Sequence, residues 1–133
     1  MKHILVVDDE PMMRRVLCLI LEQKGYDCVV VQNGKEALSV LDSHTPIQLL
    51  ITDHQMPVMD GLQLIDKIKN SSTYRHVPII LFSGHLSDEA QVHAANYRIS
   101  VMLSKPLNVS EMLGAVESVL EEDCPSLLKS PSP

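Results

Sequence analysis

Leu49-Leu50-Ile51-Thr52-Asp53 is a short apolar run that ends in an acid, and the start of the chain, Ile4-Leu5-Val6-Val7-Asp8-Asp9, has the same form. Unbroken apolar runs of this length predict strands buried on both faces, as in a parallel sheet, because alternation would leave one face polar. Two further runs extend the series. Pro78 opens Ile79 to Phe82, which meets Ser83-Gly84, and the weaker Val101 to Leu103 meets Ser104-Lys105-Pro106. Cys28 to Val31 makes a fifth strand.

Helical segments separate these runs. Pro11 to Lys24 carries Met13, Leu17, Ile20 and Leu21 at helical spacing, with Pro11 suited to a first turn and Gly25 to the stop. Asn33-Gly34 reads as a turn before a short helix from Lys35 to Leu41. A loop with Pro57 and Gly61 leads to a helix from Leu62 to Lys69, and another helix carries Ala90, Ala94 and Ala95. The last has the capping pattern Asn108-Val109-Ser110-Glu111 and runs to about Glu121. Five strands alternating with five helices predict a doubly wound α/β domain: a five-stranded parallel sheet with helices on both faces. Periodicity leaves the strand order open.

The 133 residues, 45% hydrophobic and 21% charged, fit one domain that buries a core without disulfides. That domain is expected over residues 1–122. Residues 123–133, rich in Pro and Ser, read as a tail or the start of a linker. The three cysteines, Cys18, Cys28 and Cys124, have no metal-type spacing and suit a reducing cytosol, with Cys18 and Cys28 expected in the core. A net charge of −6 argues against direct contact with nucleic acid or an anionic membrane. No apolar run approaches the roughly 20 residues of a membrane helix, and the N-terminal run turns acidic too early for a signal peptide. A soluble, cytoplasmic protein is expected.

Ligands of open parallel sheets bind beyond the carboxyl ends of the strands. In this sequence those ends carry Asp8 and Asp9, Asp53, Ser83 and Lys105. Any one acid after a strand is ordinarily a cap or a turn residue. Together they form a chemistry. Three clustered carboxylates repel unless a cation intervenes. Magnesium suits them because it takes one or two carboxylates, keeps several waters and leaves room for phosphate oxygens. Lys105 supplies a point charge for a phosphoryl oxygen or a carboxylate, Ser83 a hydroxyl donor, and a carboxylate can itself be a nucleophile toward phosphorus.

Val7-Asp8-Asp9-Glu10-Pro11, Thr52-Asp53-His54-Gln55-Met56-Pro57-Val58-Met59-Asp60-Gly61, Ser83-Gly84 and Ser104-Lys105-Pro106, in that order, resemble the receiver domain of two-component response regulators. The resemblance covers about residues 1–122. It implies a flavodoxin-like sheet of order 2-1-3-4-5 and a regulatory phosphoacceptor, not an enzyme, that assists only its own phosphorylation and dephosphorylation. It implies that Asp53 takes a phosphoryl group from a phosphohistidine, and that Asp8, Asp9, Asp53 and the backbone carbonyl of Gln55 hold Mg2+, with Asp9 a direct ligand. Ser83 matches the switch hydroxyl, Lys105 the phosphate-contacting lysine, and Gly84 a point of close access beside the phosphoryl group. The implied partners are a histidine kinase or histidine phosphotransfer protein and an unknown downstream protein. A phosphorylation-dependent homodimer is a further partner the family allows.

Two positions depart from the family pattern. Met102 stands where an aromatic usually follows the switch hydroxyl inward, so the relay to a partner is altered, and Arg98-Ile99 replace a usual Gly-Ala. His54 reads as a variable position and His85 as a loop residue, although Gln55 and His85 could also flank the path of a hydrolytic water. Three rival readings fit the residues less well. An Asp-nucleophile phosphatase of the haloacid dehalogenase type needs a second Asp two residues after the first, and Gln55 and Glu10 occupy those places. An FMN binder needs a hydroxyl- and glycine-rich loop where Asp8-Asp9-Glu10 stand. A phosphorylation-independent docking module of the same fold leaves the complete set of acids, hydroxyl and lysine without a use.

Overall fold

The computed structural model describes residues 2–43, 45–84 and 99–122. Its elements in chain order are β1 (His3–Val7), α1 (Pro11–Gln23), β2 (Asp27–Val31), α2 (Gly34–Asp42), β3 (Leu49–Asp53), α3 (Gly61–Lys69), β4 (Ile79–Ser83), β5 (Val101–Ser104) and α4 (Val109–Glu122). The expected helix with Ala90, Ala94 and Ala95, His85, Arg98, Cys124 and the stretch 123–133 lie outside the described residues. The strands form one parallel sheet of order β2-β1-β3-β4-β5. Chain direction reverses its march across the sheet at β1, so β1 and β3 flank the point where a ligand crevice opens.

Alternate residues of each strand feed two separate cores. Ile4, Val6, Leu49, Ile51, Ile80 and Phe82 pack with Leu17 and Leu21 of α1 and with Met112, Val116, Val119 and Leu120 of α4. Leu5, Val7, Leu50, Ile79 and Leu81 pack with Ala37 and Leu41 of α2 and with Leu64, Ile65 and Ile68 of α3. Each fully buried aliphatic side chain contributes about 1.5–3 kcal/mol relative to exposure. Together these layers hold the five strands in one sheet with their carboxyl ends at one edge. The unbroken apolar pattern of β1, β3 and β4 is the direct consequence of a helical layer on each face.

β2 is an edge strand, and it is only half-buried. Cys28 on β2 and Cys18 on α1 are therefore half-buried, not enclosed in the core as expected. The helix starts sharpen other readings. Asn33 is the N-cap of α2, its Oδ1 accepting the Glu36 N–H at 2.9 Å, so Asn33-Gly34 is the helix start itself and not a separate turn. α3 begins at Gly61, one residue before the expected start. Asp60 and Gln63 close a reciprocal capping box there, at 2.9 and 3.0 Å. Asn108 caps α4 through the Glu111 N–H at 2.9 Å. Gly25 ends α1 with φ +90°, where a side chain would be strained.

Candidate functional site

β1 delivers Asp8 and Asp9 to the carboxyl edge of the sheet. The turn after it is held by three bonds. The Asp8 N–H donates to the Val31 carbonyl at 3.2 Å, the Glu10 N–H donates to Asp8 Oδ1 at 2.9 Å, and Arg14 Nη1 donates to the Asp8 carbonyl at 2.6 Å. Arg14 gave no sign of this role in the sequence, because only the helix start at Pro11 carries its guanidinium back over the strand end.

Asp53 is the last residue of β3 and is buried, as are Asp8 and Ser83. Ligand oxygens of Asp8, Asp9 and Asp53 lie within 4.8 Å of one another, with Asp9 the least buried of the three. Burial, with repulsion from Asp53 and Asp9, pushes the Asp8 carboxyl up from 3.8 to about 6, although the Glu10 N–H and the Lys105 charge pull it down. Hard oxygen donors in such proximity fit a small divalent cation.

Lys105, just beyond β5, reaches across the end of β4 and sets its Nζ 3.1 Å from Asp53 Oδ1. Burial works against its ammonium, yet the hydrogen bond and charge of Asp53, with Asp8 and Glu10, raise it above the ordinary lysine value. The Lys105 backbone N–H donates to the Ser83 carbonyl at 2.9 Å, and the Lys105–Pro106 peptide is cis. The His54 N–H donates to Asp53 Oδ1 at 2.8 Å and to the Phe82 carbonyl at 2.9 Å. The contacts of the Asp53 carboxylate with Lys105 and with the His54 N–H thus both fall on Oδ1.

Asp9, Glu10, Asp53, Gln55, Gly84 and Lys105 line a cleft of about 250 Å³. The Gln55 residue is exposed at its rim. A Cβ added to Gly84 would meet none of the other described residues within 4 Å. The geometry thus brings Asp8, Asp9, Asp53, Gln55 and Lys105 into one place, with Ser83 buried at the neighbouring strand end. Met102 pairs with Leu81 in the sheet and packs half-buried against the α2–α3 core, so a flexible thioether fills the β5 face. His54 Nδ1 lies 3.3 Å from Ser83 Oγ, a contact the reading of His54 as a variable position missed.

The family model of the response regulator receiver domain matches residues 4–117. The chain belongs to that family. This receiver domain is 32% identical over 118 residues to the chemotaxis protein CheY1 of Helicobacter pylori (strain ATCC 700392 / 26695), covering 88% of this chain and 95% of that protein. It is 32% identical over 124 residues to the transcriptional regulatory protein GlrR of Escherichia coli (strain K12), covering 93% of this chain but 27% of GlrR. The receiver domain thus spans about a quarter of that regulator's length. The signal receiver domain of a signal transduction histidine kinase from Syntrophus aciditrophicus superposes on it with a TM-score of 0.83 at 31% identity, over 92% of each chain. The flavodoxin-like order expected from the motifs is the observed one. No described helix is long and apolar enough to cross a membrane.

Proposed function

We propose that this receiver domain accepts a phosphoryl group on Asp53 from a phosphohistidine of a histidine kinase or phosphotransfer protein, and that the modified domain acts on a downstream protein. The observation that carries the reading is the ion pair between Lys105 Nζ and Asp53 Oδ1 at 3.1 Å, set beside the acids Asp8 and Asp9. Asp8, Asp9 and Asp53, with the Gln55 backbone carbonyl, are the residues that would hold Mg2+, which when bound supplies positive charge to the phosphoryl oxygens. The close approach of the three carboxylates supports this, since their mutual repulsion favours a shared cation.

The protein's own groups then divide the work. The His54 N–H and Lys105 hold the Asp53 carboxylate through Oδ1, and its other oxygen, Oδ2, is the attacking atom. Attack on phosphorus forms the new P–O bond as the P–N bond of the donor breaks, and the departing imidazole keeps the electron pair and takes up a proton. Lys105 follows the charge onto a phosphoryl oxygen, and the Ser83 hydroxyl donates to another. The buried surroundings of Asp53 and Ser83 strengthen these contacts. The transferred group stays on the domain itself, which makes the domain a switch whose own phosphoryl group is the signal. Residues 1–122 are the proposed unit, and residues 123–133 are read as its tail or a linker start.

Incubation with magnesium and a small-molecule phosphodonor, read by intact mass, tests the proposal. One phosphoryl group on the wild type and none on Asp53→Ala is the expected result. An unlabelled wild type, or equal labelling of the Asp53→Ala protein, overturns it and leaves a docking module as the reading.

A further inference from the structure

β3 and β4 pair in register, Asp53 opposite Phe82, so the next residues, His54 just past β3 and Ser83 at the end of β4, stand side by side. His54 has little freedom in its backbone. Its N–H is shared between the Phe82 carbonyl and Asp53 Oδ1, and its carbonyl accepts the Gly61 N–H at 2.7 Å. Gly61 is pressed so close that a Cβ there would overlap the Asp53 carbonyl oxygen and come to 3.0 Å from His54 Cα. Ser83 is anchored too, through its carbonyl to the Lys105 N–H. Between these two fixed backbones, His54 Nδ1 and Ser83 Oγ stand 3.3 Å apart, and Ser83 is 1% exposed.

A neutral imidazole has one N–H and one acceptor nitrogen, and a serine hydroxyl has a single proton. A hydroxyl that gives its proton to Nδ1 cannot at the same moment give it to a phosphoryl oxygen. We propose that His54 is a positioning residue: in the unphosphorylated domain its Nδ1 accepts the Ser83 O–H and holds the hydroxyl at the exit of β3, so that the phosphoryl group on Asp53 must draw it off. His54 thereby sets how far phosphorylation shifts the Ser83 switch. The inference rests on the reading of Asp53 as phosphoacceptor, and it assigns to His54 an energetic opposition to the switched state that the position's motif does not contain.

The test measures binding of beryllofluoride with magnesium, a phosphoryl mimic, by calorimetry to wild type, His54→Leu, Ser83→Ala and the double variant. Loss of one partly buried hydrogen bond from the resting state is expected to tighten binding by about two- to tenfold in His54→Leu. The same substitution in the Ser83→Ala background should change binding by less than about twofold, since the coupled partner is gone. His54→Asn, which keeps a polar atom near the Nδ1 position, should return binding toward the wild-type value. An independent readout is the imidazole nitrogen spectrum of His54 in the unaltered protein. Its Nδ1 resonance should lose the hydrogen-bonded acceptor character when the mimic binds.

Unchanged or weaker binding by His54→Leu overturns the inference. So does an equal effect of that substitution with and without Ser83, or an Nδ1 resonance unmoved by the mimic. If the wild type itself neither binds the mimic nor labels at Asp53, the phosphoacceptor reading fails first and carries the inference with it. Labelled wild type with uncoupled His54 variants removes the inference alone.

Discussion

Lys105 Nζ lies 3.1 Å from Asp53 Oδ1 although β4 separates their strands. The pair closes the carboxyl edge of the sheet from β3 to β5, and each partner is useful only where the other is. Lys105→Ala is accordingly expected to slow labelling of Asp53 by a small phosphodonor at least about tenfold, because a positive charge aimed at the developing phosphoryl charge is lost. Time-resolved intact mass measures this, and a wild-type labelling rate would contradict it.

Asp8 makes the metal-free domain depend on pH in an unusual direction. Its carboxyl titrates near 6 in the folded protein and near 3.8 when free of its surroundings. The folded state therefore binds the proton more tightly, and stability falls as pH rises from about 4 to about 6, then stays low. A rise of about 2 in pKa corresponds to at most about 3 kcal/mol. Asp8→Asn is expected to recover much of this above pH 7 and little below pH 4. Urea denaturation of both proteins in chelator at pH 4 and pH 8 checks the sign. Equal stability of the two at pH 8 would refute it.

Magnesium should reverse that comparison. An ion held by Asp8, Asp9 and Asp53 stabilises the fold by mass action, so the thermal midpoint of the wild type should climb with magnesium concentration. The Asp8→Asn midpoint should respond far less, and chelator should erase the wild-type gain. Parallel responses in thermal scans of the two proteins would place the ion elsewhere.

Gly61 and Gly84 predict opposite outcomes for the same substitution. A Cβ at Gly61 would overlap the Asp53 carbonyl oxygen, whereas one at Gly84 would meet nothing within 4 Å among the described residues. Gly61→Ala is expected to cost about 2–4 kcal/mol, since backbone rather than a flexible side chain must move. Gly84→Ala should stay within about 1 kcal/mol of the wild type. Denaturation midpoints read both.

Val58 occupies φ +72° and is 75% exposed, at the centre of a tight turn in which the Met59 N–H bonds the Pro57 carbonyl at 2.7 Å. A β-branched side chain is strained in that region and gains nothing from burial. Val58→Gly is expected to stabilise the domain by roughly 0.5–2 kcal/mol, the relief of strain being partly offset by the freer unfolded chain. A raised denaturation midpoint at an unchanged slope is the expected signature.

The architecture was legible because its signals are local. Ile4 to Val7 and Leu49 to Ile51 are apolar at every position, which only a sheet covered on both faces requires. The acids, hydroxyl and lysine follow the strands directly, so knowing that the strands are parallel was enough to gather them at one edge. Helix starts were read less well. Asn33 passed for a turn and Asp60 for a loop residue, because the capping bonds to Glu36 and Gln63 form only once the helix exists.

By itself, then, the sequence determined the strands, their parallel sense and the residue types at their carboxyl ends, since period and composition act over a few residues. The family motifs supplied the strand order. Tertiary structure alone decided the rest. Which side of the sheet is an edge left Cys18 and Cys28 half-buried. The register of β3 with β4 set His54 against Ser83, 29 positions away. The helix start at Pro11 turned Arg14 onto the Asp8 carbonyl. These contacts join residues far apart in sequence or lie on a turn's return path, and their distances depend on how whole layers pack, which no local pattern encodes.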